Sequence, residues 1–176
     1  SVYFFGFRAL LVTLVSVAAC VFFEWGYCKL TGMNCKVYDL SAVVTGMLIA
    51  FVCPVTIPYW TIIIGDFFAI IVVKMLFGGI GRNLVNPALA GRAFLFSWPA
   101  AMSTWVRVGF QNRFGLFETV TVDTVTAATP MGIMHTGSLS GVSLSGLFFG
   151  NVGGCIGETS ALLLLLGLGY LLIRKV

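Results

Sequence analysis

The chain has 176 residues, of which 59% are hydrophobic and 9% charged, and a formal net charge of +4. A mean hydropathy of +1.04 is too apolar for a water-soluble core of this length, and the 21 glycines suit close helix packing in a lipid bilayer. The ten cations are scattered without a basic run or aromatic interleaving, which excludes a nucleic-acid-binding stripe.

In chain order, residues 4–27 are predicted to form a helix able to cross ~30 Å of hydrocarbon, with Arg8 and Glu24 near its ends reaching the headgroups. Residues 29–39 form a polar loop. Residues 40–53 are apolar but shorter than the ~20 residues of a full crossing. Pro54 and Pro58 close that segment, so a short or broken helix is expected. Residues 59–77 restore a full span, opened by Tyr59 and Trp60 at the interface and carrying Asp66 in its interior. Residues 78–92 are too polar and glycine-rich to face lipid and are expected to be sheltered by protein or to line a cavity. They lead into a fourth apolar segment, residues 93–102, helical at least in part. Residues 103–145 are the longest polar stretch. The last span, residues 157–173, is built around Leu162 to Leu166 and stopped by Arg174 and Lys175.

The predicted fold class is therefore all-α: a polytopic transmembrane protein with about five spans and broken or re-entrant glycine-rich segments. It divides into residues 1–103, a loop region over 104–145, and a glycine-rich segment with a final helix over 146–176. Lys29, Lys36, Lys74, Arg82, Arg92, Arg174 and Lys175 fall on one side of this topology, and Arg8, Arg107 and Arg113 on the other. The cation-rich side is expected to be cytoplasmic, which places the 104–145 loop outside the cytoplasm. No charged leader or small-residue cleavage site opens the sequence. It is expected to be part of a longer subunit.

Cys20, Cys53 and Cys155 lie in apolar or glycine-rich surroundings and read as packing residues. Cys28 and Cys35 flank a short loop, where pairing and metal binding are both conceivable. Without a C-x-x-C pattern or a nearby histidine, no metal site is expected.

The chemistry concentrates in Asp123-Thr124-Val125-Thr126-Ala127-Ala128-Thr129-Pro130. Taken by spacing alone, this stretch is equally a threonine-rich loop or a short strand. A threonine hydroxyl attacks a pyrophosphate only when an acid or metal activates it. Asp123 supplies an acid, Ala127 and Ala128 leave room, and Pro130 stiffens the chain beyond Thr129. His135, the only histidine, reads as a solvated loop residue.

The stretch closely resembles the D-x-x-[ST]-[GAS]-A-T signature of the membrane subunits of Rnf complexes and of sodium-pumping NADH:quinone reductases. A flavin transferase esterifies FMN to the last threonine of that signature. Ala127 stands where the family frequently has glycine. A second stretch, from Phe77-Gly78-Gly79-Ile80-Gly81-Arg82-Asn83 through Asn86-Pro87-Ala88-Leu89 to Gly91-Arg92-Ala93-Phe94-Leu95, is similar to the F-G-G-x-G-x-N-x-x-N-P-A-L-x-G-R-A-F-L segment of the same subunits. A phosphate loop is the weaker reading there, because no strand precedes it and no lysine follows. Asn83, Asn86 and Arg92 either line a cofactor or ion cavity or join helices. A third stretch, Gly150-Asn151-Val152-Gly153-Gly154-Cys155-Ile156-Gly157-Glu158-Thr159-Ser160-Ala161, resembles the G-N-x-x-G-x-x-G-E-T-S-A segment of the Rnf D subunit. Glu158 reads first as an acid in the opening turn of a helix, and second, with Asp66, as part of a cation path.

The resemblance implies the Rnf D subunit family, with the B subunit of the sodium-pumping reductase as its neighbour. It implies FMN on Thr129 through a phosphoester, with Asp123, Thr126, Ala127 and Ala128 presenting the site. It further implies a noncovalent riboflavin in some members and a bacterial inner-membrane location. Implied partners are a flavin transferase, a second covalent-FMN subunit and iron–sulfur subunits. The implied activity is electron relay in a ferredoxin:NAD oxidoreductase coupled to sodium or proton transport. Read by its residues alone, the chain also suits a solute channel or transporter without a redox cofactor, or a membrane scaffold.

Overall fold

A computed structural model describes residues 5–32, 37–79, 81–105, 129–135 and 143–175. Among these residues all regular structure is helical.

Helix α1, Phe7–Thr31, has 25 residues and spans about 38 Å at ~1.5 Å per residue. It is the one described helix long and apolar enough to cross a membrane by length and composition. Gly6 precedes it at φ 72° and Gly32 ends it in the left-handed conformation at φ 68°, a backbone shape that costs glycine nothing. Arg8, Val12, Ser16, Cys20, Glu24 and Cys28 are buried at every fourth position, along one ridge of the helix. Three of these six are polar, while Leu14, Phe22 and Trp25 point outward. The helix is thus apolar outside and partly polar inside. Arg8 and Glu24 were expected at the headgroups; both are instead buried, because partners inside the fold take up their charge.

Helix α2, Ser41–Phe51, covers 11 residues, about 16 Å and so half a crossing. It packs along α1 at Gly46, where a Cβ would lie 2.8 Å from Val17 Cα. Its C-terminal carbonyls, which no continuing helix can satisfy, find donors elsewhere in the chain. Gly157 N–H donates to Phe51 O at 2.9 Å, Ile156 N–H to Cys53 O at 3.2 Å and the Cys155 thiol to Val52 O at 3.3 Å. Arg8 Nε donates to Val55 O at 2.9 Å and Nη2 to Thr56 O at 3.4 Å, with the guanidinium 5.6 Å from the Tyr59 ring centre. A broken helix end is tolerated in an apolar setting when protein donors cover it.

Helix α3, Tyr59–Phe67, runs without interruption into a π-helical stretch, Phe68–Met75. The wider i→i+5 bonding persists beyond it, as Leu76 N–H reaches Ile71 O and Gly79 N–H reaches Lys74 O. Helix α4, Pro87–Leu95, begins inside the stretch expected to be irregular through Arg92. Asn86 caps it by accepting from Ala88 N–H at 2.9 Å, and Pro87 occupies the first turn, where its missing donor costs nothing. Leu95 fills the gap over Gly65, Gly91 lies against Ala69, and Phe68 and Phe94 stack at 4.3 Å.

The remaining helices are α5 (Pro99–Met102), α6 (Pro130–His135), α7 (Leu144–Phe149) and α8 (Ala161–Arg174). Ser160 caps α8, accepting from Leu163 N–H. Glu158 therefore precedes the helix and is not the first-turn acid expected of it. Leu163, Leu164, Leu165 and Leu166 on α8 are all more than half exposed. An apolar face of that size needs lipid or another protein surface.

Candidate functional site

Sequence reasoning singled out residues that the fold distributes over four places. Thr129 lies at the start of α6, where its Oγ1 accepts from Gly132 N–H at 3.2 Å and its carbonyl accepts from Ile133 N–H at 3.0 Å. Asp123, Thr126, Ala127 and Ala128 lie outside the described residues. His135 ends α6 and is exposed, in keeping with a solvated histidine.

Asn83 and Asn86 come together in a cleft of about 490 Å³, lined also by Ser41, Thr45, Lys74 and Pro87. Such a volume falls within the range of small-molecule sites. With its amide nitrogen turned toward them, Asn83 donates to Gly79 O at 3.1 Å and Lys74 O at 3.2 Å, so it also ties down the end of the π-helical stretch. Arg92 does not join this cleft. It lies 3.6 Å from Glu158 and 3.9 Å from the Cys155 sulfur, linking α4 to the 150–160 segment. Glu158 is about half exposed in that pair.

Asp66 stands apart from all of these. It is fully buried, its Oδ1 lies 2.8 Å from Ser16 Oγ, and its Oδ2 has no hydrogen-bond partner. Neither Lys74 nor Arg92 pairs with Asp66. Lys74 instead extends to Glu24, at 2.7 Å, and to Ser41 Oγ, at 2.6 Å, and Arg92 is taken by Glu158.

The Glu24–Lys74–Ser41 cluster is the largest feature that sequence reasoning missed. Its two charged side chains are 2% and 6% exposed, so each depends on the other for its charge to be tolerated. Two signals pointed to it: polar residues at positions 8, 16 and 24 keep the same face of α1, and Lys74 interrupts the apolar run Phe68–Met75. The π-helical segment that follows Asp66 and contains Lys74 adds the kind of irregularity that recurs at functional sites. Buried Lys74 and Arg8 also drop out of the charge asymmetry used for topology, since neither reaches a loop surface.

Described residues whose regular structure is all helical, with exposed apolar side chains, half-length broken helices and ionisable groups paired in the interior, are of the class of membrane proteins that shelter charge among their helices. Within that class, the chain belongs to the NQR2, RnfD, RnfE family, whose sequence pattern matches residues 1–176. It is 42% identical over 99% of its length to the D subunit of the Na(+)-translocating ferredoxin:NAD(+) oxidoreductase complex of Acetobacterium woodii, covering 52% of that protein. It is 38% identical over 99% of its length to the D subunit of the proton-translocating ferredoxin:NAD(+) oxidoreductase complex of Clostridium ljungdahlii, covering 53% of it. The B subunit of the Na(+)-translocating NADH-quinone reductase of Chromohalobacter salexigens is 37% identical over 76% of this chain and is covered over 31% of its own length. The chain thus spans about half the length of the D subunits it matches.

Proposed function

We propose that this chain is part of the D subunit of an ion-translocating ferredoxin:NAD oxidoreductase, a bacterial inner-membrane electron relay carrying FMN esterified to Thr129. The observation that carries this reading is the Thr129 hydroxyl at the head of α6, in a chain related over nearly its whole length to D subunits. In its hydrogen bond from Gly132 N–H the Thr129 oxygen accepts, a role that a phosphoester oxygen keeps after losing its proton. Thr129 therefore suits the group. Bound FMN would supply one-electron relay chemistry, tuned by its surroundings, while Thr129 only tethers it.

Several spans in the bilayer, with the 104–145 loop on the periplasmic or outer side, complete the reading. The exposed leucines of α8 suit contact with lipid or with the partner subunits, among them a second covalent-FMN subunit and iron–sulfur subunits. Among the described residues, the cleft beside Asn83 and Asn86 offers a place for a noncovalent flavin such as riboflavin. Asn86 Oδ1 is committed to capping α4, so its amide nitrogen is the group left for a ligand.

Thr129→Ala is expected to abolish covalent FMN, Thr129→Ser to retain part of it, and Thr126→Ala to leave attachment available. Asp123→Ala is expected to lower the modified fraction. Mass spectrometry of the peptide containing Thr129 reads all four. An FMN-sized increment undiminished in Thr129→Ala would overturn the tether, and a wild-type chain without flavin that still moves solute would favour the transporter reading.

A further inference from the structure

The Ser16 hydroxyl stands between two oxygens, at 2.9 Å from Gly46 O and 2.8 Å from Asp66 Oδ1. It carries a single proton, and heavy-atom positions do not fix which way that proton points. The Gly46 carbonyl only accepts. An ionised Asp66 would only accept as well, leaving one of the two short contacts without a hydrogen between its oxygens. Both contacts are satisfied together in one arrangement: the Asp66 carboxyl is protonated and donates to Ser16, and Ser16 donates to Gly46.

Burial supports the same proton count. Asp66 is 0% exposed, and a carboxylate with an unpartnered oxygen at that depth would bear the full cost of lost hydration. Among the described residues no cation pairs with it. Of the titratable groups around Asp66, α1 contributes the Cys20 thiol beside the carboxyl, with Glu24 beyond it. Lys74 is held by Glu24 and Ser41, Cys53 follows α2, and Arg92 on α4 is taken by Glu158. A calcium or magnesium ion is equally unsuited, since it takes six or more oxygen ligands and this site offers a carboxyl, a hydroxyl and an already bonded carbonyl. Ser16 is the tenth residue of Phe7–Thr31, about 15 Å along α1, so the pair sits well inside the apolar layer.

We propose that Asp66 is a proton-binding site at membrane depth, held neutral through an Asp66–Ser16–Gly46 hydrogen-bond relay. Release is balanced within the relay. When the proton leaves for water, the charge stays on the carboxylate and Ser16 turns its O–H from Gly46 to Asp66, giving the new anion a hydroxyl donor beside the Cys20 thiol. Rebinding reverses both movements. The proton site stands on this geometry alone, whereas its use in coupled ion movement rests on the function proposed above.

Infrared spectroscopy of the assembled complex in its membrane tests the site independently of the flavin. The wild-type minus Asp66→Asn difference is expected to contain the C=O stretch of a protonated carboxylic acid, shifting in D2O. Labelling the unmutated complex with ¹³C-carboxyl aspartate moves the same band without altering the fold. Ser16→Ala is expected to raise its frequency, since the acid loses its acceptor, without removing it. A difference spectrum containing carboxylate stretches alone, or an acid band indifferent to both ¹³C-aspartate and Ser16→Ala, overturns the proposal. Covalent FMN on Thr129 is measured in the same samples, so failure of the flavin reading is seen separately from failure of the proton site.

Discussion

Lys74→Met keeps an unbranched stem of similar bulk and removes the ammonium that lies 2.7 Å from Glu24 and 2.6 Å from Ser41. What remains is a carboxylate with 6% side-chain exposure and no other ion pair among the described residues. Removing one partner of a buried pair costs about 3–5 kcal/mol, most of it from the stranded charge. The double variant Lys74→Met with Glu24→Leu leaves no charge behind, and its main residual loss is the Ser41 contact, about 1 kcal/mol. The double variant is therefore expected to be more stable than Lys74→Met alone by about 2–4 kcal/mol. Denaturant unfolding of the detergent-solubilised protein measures this. Cys28 is buried one turn beyond Glu24, and its reactivity toward a thiol probe gives a second readout. A single-variant loss below about 1 kcal/mol, typical of solvent-exposed pairs, would refute the reasoning. So would a double variant no better than the single.

Gly46→Ala sets a methyl 2.8 Å from Val17 Cα and 3.0 Å from Ser16 O, both backbone atoms that cannot swing aside. Overpacking of about 1–3 kcal/mol is expected from it. Gly26→Ala, with nothing within 4 Å, is expected to be neutral or stabilising in the same unfolding assay. Equal losses at the two positions would show that α1 and α2 do not cross at Gly46. For the outward placement of the 104–145 loop, Ser143→Cys is expected to react with a membrane-impermeant thiol reagent in intact cells. Ser143 is exposed and the described native cysteines are buried; labelling only after lysis would invert the topology.

Local pattern was sufficient for the helices and silent about most of their partners. The apolar run that became α1, the short helix closed by Pro54 and the helix opened by Tyr59 were all legible as helices, because length and proline placement act within a few residues. Asn86-Pro87 was an equally local signal of a cap and a first turn, yet the surrounding glycines drew the helix start too late. Glu24 and Lys74 are 50 positions apart, and no periodicity in either helix names the other. Asp66 was recognisable as an acid in an apolar span, but its partner Ser16 was one hydroxyl among many. Membrane depth had been judged from position along the chain, so Arg8 and Glu24 were assigned to the headgroups while the α1 ridge carries them inward. The proposed flavin attachment rests on Asp123 to Thr129, most of which lies outside the described residues.

Phe51, Val52 and Cys53 leave the ribosome long before the groups that complete them: Cys155 follows Val52 by 103 positions. At ~5–20 residues per second, the end of α2 waits about 5–20 s for its donors, with Arg8 already on hand for Val55 and Thr56. Until then its open carbonyls need water or the insertion machinery, so α2 can settle at its final depth only after the 150–160 segment arrives. Assembly of the first four helices is thus provisional, and synthesis of a distant glycine-rich strap closes it.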